Sequence, residues 1–103
     1  MRRVAVLMHG IPAGVLEESE DRKTYRFEYY ADYSGPPISL TMPVKEKTFE
    51  YDHLPPFFDG LLPEGSLLDA LLVQKKLDAK DYLGQLLIVG QDPVGAVTVE
   101  ATE

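Results

Sequence analysis

The chain has 103 residues, with 10 Lys and Arg against 17 Asp and Glu, a formal net charge of -7, 45% apolar residues and neither Cys nor Trp. That length supports one domain with its own core, residues 1–103, while the lack of cysteine excludes a disulfide scaffold or a thiolate zinc site and leaves a cytoplasmic setting as the expectation. The acidic balance repels a phosphate backbone, which excludes nucleic acid as a direct ligand, and no uncharged stretch approaches the ~20 apolar residues of a membrane span. The basic-then-apolar start, Met1 to Met8, stops at His9-Gly10, well short of an export signal.

Val4-Ala5-Val6-Leu7-Met8 is a compact apolar run that reads as a strand buried on both faces. Ile11-Pro12-Ala13-Gly14 supplies loop chemistry, so Val15-Leu16-Glu17-Glu18 is expected to return as the second strand of a hairpin. The acidic run Glu17 to Asp21 reads as a solvated hairpin tip, with attraction of a basic partner as the alternative. Thr24 to Tyr29 alternates aromatic and charged residues with period two, which points Tyr25, Phe27 and Tyr29 at a core and Arg26 and Glu28 at water. Ser34-Gly35-Pro36-Pro37 breaks the chain. Ile38-Ser39-Leu40-Thr41-Met42 alternates again and is expected as a strand, followed by a charged turn at Lys45-Glu46-Lys47 and a short strand at Thr48-Phe49-Glu50-Tyr51.

The period then changes. Pro56 suits a first helical position, with Phe57, Phe58, Leu61 and Leu62 following at helical spacing up to the break at Pro63-Glu64-Gly65. Ser66 is placed to cap a helix from Leu67 to Lys76 whose stripe is Leu67, Leu68, Leu71 and Leu72, with Asp69 completing a capping-box-like pair. Asp78 and Asp81 repeat that arrangement before Tyr82, Leu83, Leu86 and Leu87, with Gly90 as the stop. Gln91-Asp92-Pro93 turns the chain into a final strand, Gly95 to Glu100. Strands, then two or three short helices, then a strand make an α+β domain built on a small, mostly antiparallel sheet.

Residues able to do chemistry are sparse. His9 and His53 have no metal-ligand spacing and His9 beside Gly10 reads as a turn residue, so no metal or cofactor site is expected. Ser19, Ser34, Ser39 and Ser66 lack a nucleophile context, Gly10 to Gly14 lacks a phosphate-loop order, and Asp59 with Glu64 reads as a helix-end pair before it reads as acid and base. The chain is therefore not expected to be an enzyme. An aromatic platform for single strands at Tyr25, Phe27 and Tyr29 conflicts with the net charge.

Partner recognition offers better candidates. Tyr30 and Tyr33 lie beyond the aromatic strand beside a Gly-Pro loop, where at least one is expected at the surface. Phe57, Phe58, Leu61, Leu62, Pro63, Glu64, Gly65 and Ser66 put four large apolar residues and a proline-glycine connector into a short span. Either most of these pack inward or the connector is presented to a partner as a pre-organised loop.

Phe57 to Gly65 resembles the F-F-x-x-L-L-P-E-G motif of the N-terminal subdomain of the HipA family of toxin kinases. Leu7-Met8-His9-Gly10 with Gly14-Val15-Leu16 is similar to that family's opening strand, turn and return, with His9 where the family often has Asn. Ile38 to Val44 is similar to its S-L-S-L-P-L stretch, and Gly90 to Val97 to its G-x-D-x-x-G-A-V ending. Four motifs in order cover nearly the whole chain.

The resemblance implies a function as well as a fold. In the full-length family a kinase domain follows this subdomain, whereas this chain stops at Glu103, so no kinase chemistry carries over. It then resembles the stand-alone HipS-type antitoxins of three-component HipBST systems, which implies a HipT-like kinase toxin as partner, inhibited in trans, and a HipB-like DNA-binding protein in a ternary complex. Kinase nucleotide sites gather cations around phosphates, and an acidic inhibitor is attracted to such a surface. The expected contact is a loop of Leu62 to Ser66, braced by Phe57, Phe58 and Leu61 and centred on Glu64. The alternative is an N-terminal structural module of a longer HipA-like kinase, without inhibitory activity of its own.

Overall fold

The computed structural model describes residues 2–62, 65–76, 78, 81–89 and 97–102. The first apolar run forms β1, Arg2–Met8, which reverses at His9 and Gly10 into β2, Ile11–Glu18. Both turn residues hold positive φ, 52° and 79°, the mirror-image turn whose twist matches the strands it joins. Glycine reaches that conformation without steric cost, so the hairpin closes earlier than expected and Ile11 to Gly14 belong to the strand. Val6 faces Gly14 and Leu7 faces Pro12. The extra residue, Ala13, makes a bulge, one of the few strand settings where proline's missing N–H is tolerated. Gly14 sits against the Phe27 ring and the Glu28 carbonyl, where any Cβ would collide.

β3, Tyr25–Tyr29, pairs with β2, and β4, Thr48–Tyr51, pairs with β3. The last strand, β5, Val97–Ala101, pairs with β1 on the other side. The described strands thus form a five-stranded antiparallel sheet in the order β4-β3-β2-β1-β5. The period-two pattern of β3 is met: Tyr25, Phe27 and Tyr29 are buried and Arg26 is exposed. Two helices cover that face, α1, Pro56–Asp59, with Pro56 at its first position, and α3, Tyr82–Val89. Phe58 from α1 and Leu83 and Leu86 from α3 are fully buried with Val4, Val6, Leu16, Phe27 and Val99. Each such side chain contributes about 1.5–3 kcal/mol by leaving water. The α+β expectation holds. No helix among the described residues is long and apolar enough to cross a membrane.

Ile38 to Met42 is not a strand. The Met42 N–H bonds back to the Ser39 carbonyl at 3.0 Å, while the Ser39 hydroxyl accepts from the Thr41 N–H at 3.3 Å. Local side-chain bonds of this kind compete with ladder pairing, and Pro36, Pro37 and Pro43 have no N–H to give a ladder. The chain therefore turns, leaving Leu40 97% exposed while Ile38 and Met42 are buried. What holds this turn is Tyr29, whose hydroxyl donates to the Met42 carbonyl and accepts from the Ile38 N–H.

The helix α2 spans Gly65–Lys75, so Ser66 lies inside its first turn rather than before it. α3 is capped by Asp81, not Asp78: the Asp81 Oδ1 accepts from the Gly84 N–H at 3.1 Å. The expected helix stop at Gly90, the turn at Gln91-Asp92-Pro93 and the start of the last strand at Gly95-Ala96 lie outside the described residues.

Candidate functional site

Two aromatic residues at the start of the Phe57 to Ser66 segment play different parts. Phe58 is fully buried, its ring 5.9 Å from that of Phe27. Phe57 is half-buried and meets Phe58 edge-on at 5.2 Å. Beyond them the backbone continues in tight turns, with the Leu61 N–H on the Phe58 carbonyl at 3.0 Å and the Leu62 N–H on the Asp59 carbonyl at 3.1 Å. Those turns bring Leu61 to the surface and leave Leu62 half-buried against the core. Pro63 and Glu64 lie outside the described residues. Gly65 and Ser66 are exposed at the start of α2, and Gly65 has a φ of +60°, which explains a glycine at this point of the motif.

The helix that follows is the surprise. Its stripe of Leu67, Leu68, Leu71 and Leu72 is expected to face the core, yet no described residue of α2 is buried. Leu67 is 73% exposed and Val73 81%, and the helical residues packed in or against the core come instead from α1 and α3. A leucine-rich helix with Leu67 and Val73 exposed and Leu68, Leu71 and Leu72 half-buried, shortly after exposed Leu61, presents apolar surface of the kind that marks protein contacts. Sequence reading missed Leu67 and Val73, and the one available signal was Val73, which falls off the stripe of its neighbours.

Tyr30 and Tyr33 differ in burial but line the same recess. Tyr33 is buried, stacked on Tyr29 at 5.6 Å with its hydroxyl donating to the Pro36 carbonyl. Tyr30 is 37% exposed and lines a recess of about 610 Å³ with Met8, Ile11 and Pro12. No described residue of the Phe57 to Ser66 segment lines that recess. Among the chemical candidates, His9 is exposed at its turn, Asp59 is exposed at the end of α1, and His53 Nδ1 lies 2.6 Å from the Asp52 carboxylate.

The acidic run from Glu17 to Asp21 is not wholly solvated. Glu18 is 1% exposed, and its Oε2 accepts a 2.8 Å hydrogen bond from the Tyr25 hydroxyl. Burial first, and then the Glu18 carboxylate, push the Tyr25 hydroxyl well above the ordinary tyrosine range. Arg2 Nη1 lies 3.9 Å from Glu18 Oε1 and 2.5 Å from Asp81 Oδ1. Partial burial raises the Asp81 carboxyl, but the Arg2 guanidinium and the Gly84 N–H outweigh it and hold the group below its usual value. These four side chains tie both ends of the first hairpin to the start of α3.

The HipA N-terminal domain family model matches residues 4–100. An uncharacterized protein of Haemophilus influenzae is 34% identical over 100 residues, covering 97% of this chain and 92% of the relative. Putative kinase Y4dM of Sinorhizobium fredii is 31% identical over 115 residues, and the match spans all of this chain but 28% of that protein. Among solved structures, the N-terminal domain of HipA toxin superposes with a TM-score of 0.77 at 30% identity, covering 100% of this chain and 94% of that one. A chain in the complex of HipA, HipB and operator DNA from the toxin-antitoxin system of Shewanella oneidensis MR-1 superposes at 0.71 over 96% of this chain and 24% of that one. At 21% identity that second likeness speaks for the fold alone. Sequence and fold agree from one end of the described sheet to the other: the chain belongs to the HipA N-terminal domain family, a family linked to toxin-antitoxin systems.

Proposed function

We propose that the chain is a HipS-type antitoxin, a non-enzymatic cytoplasmic protein that binds a HipT-like serine/threonine kinase toxin in trans and suppresses its activity. The observation that carries this reading is α2, whose Leu67 and Val73 stand 73% and 81% exposed. Water-exposed leucine-rich surface costs free energy that a partner recovers by covering it, at about 25 cal/mol per Å². The net charge of -7 favours approach to a cationic nucleotide site and disfavours self-association. The Haemophilus relative, 92% of which this domain fills, supports a form of the domain with little else attached. On this reading the connector from Leu62 to Ser66 meets the kinase, with α2 extending the contact, and a HipB-like protein supplies any DNA binding of the complex.

A second reading has its own support. The Sinorhizobium relative carries this domain within a chain more than three times its span, since the match covers 28% of that protein. On this second reading the apolar helix of this chain is covered in cis, as part of a longer HipA-like kinase.

Purified chain and a purified HipT-like kinase from the same genome, mixed and separated by size, decide between them. Co-elution with loss of kinase activity supports the antitoxin. Co-elution with full activity, or no association, overturns it in favour of the structural module.

A further inference from the structure

A second surface lies at the end of the sheet that carries the His9-Gly10 turn. There Met8 and Ile11, directly opposed in the β1–β2 register and so on one face, form one wall of the recess of about 610 Å³. The loop that leaves β3 forms the other wall through Tyr30, Tyr33 and Pro36. The volume lies within the range of ligand sites, and most of the lining is apolar. No described residue of α2 contributes to it.

The loop wall is fixed before any ligand arrives. The Tyr30 N–H donates to the Ala13 carbonyl at 2.9 Å, which ties the loop to β2, and the Tyr33 N–H donates to the Tyr30 carbonyl at 3.0 Å. The Tyr33 ring stacks on Tyr29, and its hydroxyl holds the Pro36 carbonyl. Yet Ile11 is 61% exposed and Tyr30 37%. Exposed apolar and aromatic surface on a pre-organised recess marks a contact, because little ordering entropy is lost when it is covered.

We infer that this recess docks an extended, proline-rich segment of a partner protein that carries an arginine or lysine beside its prolines. The Tyr30 hydroxyl makes no hydrogen bond to another described residue, which leaves a donor free on an aromatic wall. A polyproline II segment has no internal hydrogen bonds, so its carbonyls take such a donor while its rings pack on tyrosine and proline surface. A helix bonds its carbonyls within itself and makes no use of that donor. Asp32 is the only carboxylate of the lining and is unpaired among the described residues, so it complements a cation beside the prolines, as does the net charge of -7. This site goes beyond the kinase reading, because its test uses the chain alone.

The test is an amide NMR titration of the full chain with a blocked peptide of arginine followed by hexaproline. Its glutamate counterpart, a Gly-Ser peptide of equal length with the same arginine, and an amphipathic helical peptide of the same net charge serve as comparisons. The expected result is saturable shifts confined to Met8 to Ile11 and Tyr30 to Gly35 with the arginine-hexaproline peptide, and weaker binding of the other three. Tyr30→Ala is expected to keep a native spectrum elsewhere while affinity falls about fivefold or more, the scale of an anchoring contact. Tyr30→Phe keeps the ring, removes only the donor and lowers affinity about threefold or more. Asp32→Asn lowers affinity for the arginine peptide about twofold to fivefold, the scale of one surface charge contact. No saturable shift, equal binding of the Gly-Ser peptide, or undiminished affinity in both Tyr30 variants overturns the site. Equal binding of the glutamate peptide overturns the basic flank, and tighter binding of the helical peptide overturns the extended occupant.

Discussion

The Tyr25 hydroxyl donates a 2.8 Å hydrogen bond to the Glu18 carboxylate, and both side chains are buried at the end of paired strands β2 and β3. Removing the donor leaves the carboxylate with no hydrogen bond at either oxygen, since Oε1 already has none. Tyr25→Phe is therefore expected to cost about 1–3 kcal/mol in urea unfolding, the penalty of a stranded buried acceptor. Replacing Glu18 by Gln, which keeps an acceptor and removes the charge, is expected to cost less than Tyr25→Phe.

The same pair sets the alkaline limit. The folded-state pKa of Tyr25 lies above its ordinary value of 10.0, chiefly through burial. A raised pKa means that the folded protein holds the proton more tightly, so this stability is intact below pH 10 and is lost as pH rises through the raised value. Burial shifts Tyr29, Tyr33 and Tyr51 in the same direction. Absorbance titration at alkaline pH is expected to show several tyrosines ionising only as the fold is lost, and Tyr25→Phe to flatten the alkaline fall in stability.

Acid acts through Asp81. Its carboxyl is held below 3.8 in the folded chain, so its contribution is present above that value and disappears as pH falls through the lowered one. Asp81→Ala removes the Gly84 cap and the Arg2 partner together and is expected to cost about 1–2 kcal/mol at neutral pH. The variant is also expected to lose less stability than the parent between neutral and acid pH, read from urea midpoints.

Two helices give opposite mutational responses. Phe58→Ala empties a fully buried site and is expected to cost about 3–5 kcal/mol. The double variant Leu67→Ser, Val73→Ser changes exposed positions of α2 and is expected to alter stability by no more than about 1 kcal/mol. On the antitoxin reading it loses association with the kinase, and Glu64→Ala weakens neutralisation without unfolding the domain. Unchanged co-elution of both folded variants counts against the α2 and connector contact.

Gly65 tests the start of α2. Its φ of +60° suits glycine, and space around it is open, so only backbone strain opposes a side chain there. Gly65→Ala is expected to cost about 1–2 kcal/mol through that strain. Circular dichroism is expected to show reduced helix with the sheet intact.

Much of this molecule was legible one segment at a time. β3, β4 and α3 announce themselves because an element with one buried side must repeat its apolar residues at its own period, as Tyr25, Phe27 and Tyr29 do, whereas β1 was legible as an unbroken apolar run expected to be buried on both faces and in fact buries Val4, Val6 and Met8 on one face with Ala5 and Leu7 half-buried on the other. Pro56 at the first position of α1 follows from a fixed φ alone. The segment from Phe57 to Ser66 was equally recognisable as a motif, but its division of labour was not: Phe58 goes to the core and Leu61 to the surface.

The alternation of Ile38, Leu40 and Met42 misleads because a turn pinned by a distant hydroxyl, that of Tyr29, buries the first and last and expels the middle one. Likewise Glu18 looks like one more charge in an acidic tip until β3 brings Tyr25 and the chain start brings Arg2 beside it. The stripe of α2 is a third case, since apolar spacing is the same for a helix that faces its own core and for one that faces a partner. Local periods and dihedral preferences are properties of neighbouring residues, so most strands and helices were set by the amino-acid order, while the Ile38 to Met42 turn needed Tyr29 from another strand. Which apolar face is covered, and which charge is buried, depends on residues far apart in the chain, and packing alone decided it.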